Sequence, residues 1–308
     1  MQFTRQRFPS FKPKFADKVR WRMAQDRNTL FLTIQDKYKV RDYATERSVA
    51  TAKLLLVTQD PQTIPFETLP ESYFVKASHG CGWNILCLHG EFYYFKSGND
   101  IVDADGSLVH SNASKEHQLT QAEVVTLCTE WMQQTHRSDE WAYQHIEPHI
   151  IVEALLTPKD DTELKDYRMY TFDGVVQAIN IGSARYRRDA HNIFFDRDWN
   201  EFILTRYQEA PPEHRPKRPE RLDAMLAAAE RLGAGLDFIR IDLYDTTDGI
   251  VLGEMTIYPQ GGSSKSPTTC PAFNQWLGDQ WQLGWRKSWQ ALRARHNKRR
   301  LQRQRRND

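Results

Sequence analysis

An α+β fold is predicted for this chain on three observations. Residues 73–88 and 238–257 each read as two short strands joined by turn residues, the mark of antiparallel hairpins. Between them, residues 121–132 and 219–232 carry apolar side chains at helical spacing. At 308 residues the chain can bury a sizeable core, and its length suits about two domains.

The later hairpin is the most informative element. Phe238 to Tyr244 alternates, so Arg240, Asp242 and Tyr244 share one face and Ile239, Ile241 and Leu243 the other. Asp245-Thr246-Thr247-Asp248-Gly249 is turn chemistry, and Ile250 to Ile257 forms the return. A register that pairs residues of equal parity sets Glu254 and Thr256 beside Arg240 and Asp242. Two carboxylates so close repel, and a hard cation is the obvious relief, because Mg²⁺ is commonly held by one or two carboxylates together with substrate phosphates. The same pattern also suits an arginine–carboxylate cluster on a solvated sheet face.

In the earlier hairpin, Tyr73 to Ala77 is a strand, Ser78-His79-Gly80-Cys81-Gly82 a loop and Trp83 to Leu88 the returning strand. A glycine-rich loop between antiparallel strands can fold over a triphosphate and offer backbone N–H groups, with Lys76 supplying a mobile charge. It is no Walker motif, since the Gly-Lys-Ser/Thr ending and the strand-to-helix context are missing. Two glycines there are equally those of an ordinary hairpin turn.

The remaining elements read as framework. Thr120-Gln121-Ala122-Glu123 is a capping box. It opens a helix with Val124, Leu127, Cys128, Trp131 and Met132 on one face, which should back the glycine-loop sheet. Ile150 to Leu156 is apolar enough for a buried strand before Thr157-Pro158-Lys159-Asp160-Asp161-Thr162 breaks the pattern. Lys165-Asp166-Tyr167-Arg168 introduces strands at 169–172 and 175–179 around the Asp173-Gly174 turn. A proline-rich loop at 210–216 precedes a helix that Pro219 starts and Gly233 stops. Asp103-Ala104-Asp105-Gly106 lacks the final Glu of a calcium loop, and proline breaks His145-Ile146-Glu147-Pro148-His149 as a zinc helix.

The two ends are basic. The first thirty residues are basic and aromatic and suit a helix packed ahead of the main body; Lys37 and Arg41 beyond them either line a cleft or lie on a solvated helix. Residues 286–308 hold ten Lys or Arg and one acid, so they carry +9 of a chain whose net charge is +2 and leave −7 on the rest. Trp285, Trp289, Leu292 and His296 recur at helical spacing, so this segment reads as a docked helix running into a free basic arm. Its natural partner is an anionic membrane surface or another polyanion, though it also serves as a plain solubilising tail; no specific nucleic-acid motif is present. The 40% hydrophobic and 27% charged composition is globular. No apolar stretch approaches a membrane span and no signal-peptide core opens the chain, so a cytoplasmic protein is expected, one its tail can bring to the inner membrane face. Cys81, Cys87, Cys128 and Cys270 have no zinc or disulfide spacing and read as buried thiols.

The order of these motifs resembles the TupA-like branch of the ATP-grasp superfamily, associated with teichuronopeptide and other surface-polysaccharide synthesis. The residues that carry it are Asp36-Lys37-Tyr38-Lys39-Val40-Arg41, Leu69-Pro70 through Lys76, Glu147 through Glu153, Asp166-Tyr167-Arg168, Arg240 through Tyr244, and Gly253-Glu254-Met255-Thr256 with Gly261-Gly262 behind. They span roughly residues 30 to 285. The resemblance implies an ATP-grasp fold, with ATP and Mg²⁺ between two α+β subdomains. It divides the chain into a helical N-terminal region (1–70), a subdomain with the phosphate loop (71–145), a subdomain with the adenine hinge and metal strands (146–285) and the basic tail (286–308).

The site residues follow the same resemblance. Lys76, Ser78, His79, Gly80 and Gly82 are expected on phosphate, with Lys37 lining the cleft; Glu153 and Leu155 on adenine; and Asp166 or Arg168 on ribose or phosphate, where a surface ion pair is the plain alternative. Asp242, Glu254 and Thr256 are expected on Mg²⁺, with Thr256 standing where many ATP-grasp enzymes carry Asn. Catalytic charge is expected from Lys76 and Arg240; Arg185, in a basic loop without a recognisable code and apart from the resemblance, is a candidate for a substrate carboxylate or phosphate and equally a plain surface-loop residue.

The implied chemistry is an ATP-dependent carboxylate–amine ligase. A carboxylate-bearing small molecule or glycan precursor is activated as an acyl phosphate and opened by an amine co-substrate. A kinase acting on a sugar hydroxyl, or a non-catalytic scaffold binding nucleotide or polyanion, would use the same nucleotide site.

Overall fold

The structure is a computed structural model that describes residues 13–94, 118–137, 139–159, 164–183, 191–204, 215–263 and 270–283. The basic tail, the 103–106 segment, the 210–214 part of the proline-rich loop and Arg185 lie outside the described residues. Two six-stranded sheets carry the fold. Helices and two sheets make it an α+β arrangement, as the sequence predicts.

In the first sheet, β8 (Asp166–Phe172), β9 (Val175–Ser183), β10 (His191–Phe195), β11 (Phe238–Thr246) and β12 (Gly249–Thr256) are antiparallel. β1 (Ala50–Thr51) adds to β12 in parallel, giving the order β1-β12-β11-β8-β9-β10. The β11–β12 loop is tighter than the turn residues suggest, because Thr246 pairs with Gly249 and only Thr247 and Asp248 lie between. Asp166 and Arg168 lie inside β8, not ahead of it, since β9 runs on to Ser183 and gives Asp166 a partner in Gly182. Ile239, Ile241, Leu243 and Met169 are fully buried. Helix α5 (Leu222–Gly233) packs on β8, β9 and β11, with Gly233 so near Thr171 that a Cβ there would collide.

Helix α1 (Phe15–Gln25) seals the aromatic end of the sheet. Phe15 packs edge-on against Tyr170, Phe172 and Phe238. Arg22 is fully buried, its guanidinium 4.3 Å from the Trp281 ring and donating to the Phe238 carbonyl at 2.8 Å while pairing with Asp237. Lys18 donates to the Gly278 carbonyl in helix α6 (Pro271–Gln280). Part of the basic N-terminal segment is therefore an internal strut.

The second sheet has the order β2-β7-β3-β4-β5-β6. Its strands are β2 (Leu54–Thr58), β3 (Tyr73–Ala77), β4 (Asn84–Leu88), β5 (Glu91–Tyr94), β6 (Gln118–Leu119) and β7 (Ile150–Ala154). It thus takes strands from either side of residues 70 and 146. Helix α4 (Gln121–Met132) keeps its capping box and buries Val124, Cys128 and Trp131 in this sheet's core, with Leu127 and Met132 packed beside them. Cys87, Cys128 and Cys270 are buried, but Cys81 is exposed because it caps the glycine loop.

The chain crosses between the sheets twice. Ala52-Lys53 leads from β1 to β2. After β7 the chain returns to the β11–β12 turn, where Thr247 N–H donates to the Thr157 carbonyl at 3.1 Å and Lys159 N–H to the Asp245 carbonyl at 3.3 Å. No helix among the described residues is long and apolar enough to cross a membrane.

Candidate functional site

A β-bulge puts the second carboxylate in place. From the turn, the β11–β12 pairing runs Thr246 with Gly249 to Leu243 with Leu252, which would next set Asp242 against Gly253. The register shifts there, and Asp242 pairs with Glu254 instead. Without the shift Glu254 would face the buried side with Ile241, because a one-residue slip exchanges the two faces of a strand. Gly253 fits the bulge because a Cβ there would strike the Tyr244 ring.

A polar row crosses four strands of this face: Asn180 pairs with Arg168, Arg168 with Asp242, and Asp242 with Glu254. Arg240 grips Asp242 with two hydrogen bonds of 2.7 Å and lies 3.7 Å from Glu254. Arg168 spans Asp166 at 2.9 Å and Asn180 at 3.0 Å. Asp166 and Arg168 do pair with each other, not as the surface ion pair offered by sequence but with Asp166 buried, on the face that carries the acid pair. Burial pushes the Asp242 carboxyl up to about 6 against the pull of Arg240, and the nearby charges of Asp166 and Glu254 add to the rise.

These donors fit a hard divalent cation that brings ligands of its own. Asp242 is buried beside a second carboxylate, and Thr256 Oγ1 is buried with no hydrogen-bond partner. Among the described residues no group of three or more His, Cys, Asp or Glu is placed to hold a metal ion. A cation here would complete its shell with water and phosphate oxygens, the habit of Mg²⁺.

On the second sheet, Lys76 and Glu153 are diagonal neighbours, since Glu153 pairs with Phe74 across β3 and β7. Glu153 accepts from Lys76 Nζ at 2.7 Å and from Arg41 at 2.6 Å, and Arg41 also reaches the Ala52 carbonyl at the first crossing. Arg41 lies on helix α3 (Val40–Glu46), while Lys37 sits in the turn before it. The Glu153 carboxylate is thus spent on cations, and Leu155 begins the return to the first sheet. An adenine edge would meet the backbone of this stretch and not the Glu153 side chain.

The glycine loop is fastened from beneath. Lys37 donates through Nζ to the Gly80 carbonyl and through its backbone N–H to the Ser78 carbonyl at 3.1 Å. Ser78 Oγ accepts from His149 N–H at 3.2 Å. The His79 ring turns inward, 2.9 Å from the Trp131 carbonyl and edge-on to Trp83, and burial lowers its pKa. His79 therefore offers a phosphate its backbone alone. Gly80 lies against the Trp83 ring with no room for a Cβ, and Gly82 has φ +75°, a conformation that favours glycine. The Cys81 thiol above them is raised first by desolvation and then by Glu254, while Lys37 and Arg240 lower it. The charges of Glu254 and Arg240 on the first sheet thus influence a thiol in the glycine loop of the second.

Sequence reasoning missed Arg41 as partner of Glu153, Asn180 as the end of the row, and Glu140, which is buried and raised to about 7 by desolvation, with Arg137 opposing. The alternation of β9 was the one signal for Asn180; nothing local marks Glu140.

The family model for TupA-like ATPgrasp matches residues 17–282. Its match begins inside α1, earlier than the motifs alone suggest. No curated protein matches. Among solved structures, a D-alanine--D-alanine ligase from Bacillus anthracis complexed with ATP is similar at 11% identity and TM-score 0.43, over 81% of this chain and 63% of that one. An N5-carboxyaminoimidazole synthetase from Staphylococcus aureus complexed with ADP is similar at 9% identity and TM-score 0.42, over 80% of this chain and 52% of that one. The ATP-grasp ligase PsnB with its minimal precursor is similar at 14% identity and TM-score 0.37, over 82% and 62%. The chain thus spans between about half and two-thirds of the length of these proteins.

Proposed function

Because the chain belongs to the TupA-like ATP-grasp family, we propose that it is an ATP-dependent, Mg²⁺-requiring carboxylate–amine ligase acting on a surface-polysaccharide or glycopeptide precursor. The observation that carries this reading is the acid pair of Asp242 and Glu254 with the unpartnered Thr256 Oγ1 on the same strand as Glu254, in a chain whose glycine loop is fastened by Lys37. A triphosphate laid under that loop ends beside the acid pair.

In this reading Lys76 leaves Glu153 for the phosphates, and the backbone from Ser78 to Gly82 covers them. The stretch after Glu153, through Leu155, receives the base. Asp242, Glu254 and Thr256 hold Mg²⁺, which when bound neutralises charge on the phosphate oxygens. Arg240, released in part from Asp242, faces the oxygen that becomes negative as the substrate carboxylate attacks the γ-phosphate and again as the amine attacks the acyl phosphate. Fixed cations aimed at such oxygens are the main source of rate in phosphoryl and acyl transfer. Arg168 and Asp166 border the same row and would orient the carboxylate substrate or the ribose; Arg185 is a further candidate for a substrate carboxylate or phosphate.

The test is product stoichiometry. With uronic-acid oligosaccharides as carboxylate and a mixture of amino acids as amine, the ligase releases ADP and inorganic phosphate only when both are present. A kinase would instead release ADP and leave a stable phosphate ester, and a scaffold would turn over nothing. The reading further implies work on the cytoplasmic side, with residues 286–308 drawing the protein to an anionic surface. Salt-sensitive binding to vesicles containing phosphatidylglycerol, lost on truncation after Gln290, supports that part; equal binding by both forms ends it.

A further inference from the structure

Glu140 is a buried acid that the reading above leaves without a task. It is 6% exposed, and Arg137 Nε approaches it at 3.3 Å. It opens the 3₁₀ turn Trp141–His145 that follows α4 in the chain. That turn is held over the end of the metal strand: Gln35 Nε2 donates to the Tyr143 hydroxyl at 2.6 Å, and Gln35 Oε1 accepts from Ile257 N–H, one residue past Thr256, at 3.5 Å. Arg137 lies across the loop after β12, its guanidinium 3.1–3.4 Å from where a Cβ on Gly261 would sit. Gln260, Gly261 and Gly262 all have positive φ there, so the loop can fold back tightly on that arginine. Glu140 is thereby held from the second sheet's side against the strand that carries Glu254.

The charged and titratable groups around it are Arg137, Asp139, Glu254, Cys81, Tyr143 and Tyr258. The Gln35 bridge to Ile257 carries the Glu140 turn to the end of the strand that holds Glu254 and Thr256, and Glu140 and Glu254 both act on the Cys81 thiol of the glycine loop. That point is where the end of the triphosphate and the activated carboxyl carbon would lie. An amine arriving there is an ammonium in neutral water and has no lone pair for attack. Arg137, the cation paired with Glu140, is shared with Asp139 at 3.0 Å, so acids outnumber the cation at this turn.

We propose that Glu140 receives the proton of the amine co-substrate, so that this corner of the cleft is the site for an ammonium-bearing nucleophile. The inference rests on the ligase reading. Glu140 takes one proton from R–NH₃⁺, and the freed pair forms the C–N bond at the acyl-phosphate carbon while the carbonyl π pair moves to oxygen. Return of that pair breaks the C–O bond to phosphate, which departs as inorganic phosphate, and the second N–H proton passes to it. A carboxyl that burial has raised to about 7 suits a base working near neutral pH.

Hydroxylamine separates the two claims, because it is largely neutral at pH 7 and attacks acyl phosphates unaided. Full-length wild type and Glu140→Gln are given ATP, Mg²⁺ and uronic-acid oligosaccharides, with either hydroxylamine or a mixture of amino acids. The expected result is that Glu140→Gln forms hydroxamate at about the wild-type rate but loses amino-acid ligation by about 100-fold or more. Its remaining ligation should also lack the wild-type rise with pH through about 7. Loss of both products, or retention of both, overturns the role of Glu140 and leaves the ligase reading standing. No hydroxamate from the wild type overturns the ligase reading, and the role of Glu140 with it.

Discussion

Asp242 on the first sheet and Lys76 on the second each meet a counter-charge supplied by the chain, and the two arrangements differ in depth. Asp242 is 4% exposed, lies inside the polar row and is gripped by both arms of Arg240. Lys76 is roughly a quarter exposed, and the Glu153 it pairs with keeps Arg41 as a second partner. A buried pair is costly to break, because the survivor stays desolvated and uncompensated. A half-open lysine with a shared carboxylate can change partners at little cost. The difference suits a site whose anionic wall is fixed and whose cation comes forward to the phosphates.

The largest effect should come from splitting the deep pair. Asp242→Ala takes both short hydrogen bonds from the largely buried Arg240 and leaves it Glu254 at 3.7 Å, and should lower unfolding free energy by about 3 kcal/mol. Lys76→Ala leaves Glu153 on Arg41 and should cost on the order of 1 kcal/mol or less. Urea unfolding of the two variants measures both, and equal losses would break the contrast. Both variants should bind ATP with Mg²⁺ weakly if each removes one side of the proposed site.

Next in size is the bulge. Gly253→Ala drives a Cβ into the Tyr244 ring, and forcing that contact should cost about 1–3 kcal/mol. Adding Tyr244→Ala should return part of the loss, so the double mutant falls short of the sum of the single changes. If the bulge aims Glu254, Gly253→Ala also weakens Mg²⁺-dependent nucleotide binding. Thermal unfolding and calorimetric titration check the two halves.

The first sheet was more legible in sequence than the second for a reason of period. Alternation in 238–246 fixes which residues share a face, so Arg240 and Asp242 could be grouped before any pairing was known. Glu254 joined them only if a bulge supplied the missing residue, and alternation cannot reveal a bulge except through a glycine such as Gly253. On the second sheet, loop and lysine were visible, but the inward turn of His79 was not, because it depends on Trp131 and Trp83 from other elements. The burial of Arg22 left no local sign either. Nothing local separates a surface arginine from one enclosed by Phe31, Phe238 and Trp281. Partners distant in the chain, as Arg41 is from Glu153, leave no periodic trace.

The mildest test uses pH to tell the walls apart. The Asp242 carboxyl is raised from 3.8 to about 6 in the folded protein. Its ionised form is therefore disfavoured by folding, and without a cation its contribution to stability declines as pH rises from about 4 to about 6. A divalent cation needs the deprotonated carboxylate, so Mg²⁺ restores that loss only above about 6. Below it, one proton competes with the metal, and apparent Mg²⁺ affinity should fall about tenfold per pH unit. The rise in melting temperature given by Mg²⁺ with a non-hydrolysable ATP analogue should accordingly be smaller at pH 5 than at pH 7.5. Lys76→Met should lower that rise at both pH values and keep their ratio, because the lysine lies on the other wall. Asp242→Asn should remove the pH dependence itself. A Lys76→Met protein whose melting temperature no longer responds to pH would show the two walls to be one coupled unit, against the separation their burial implies.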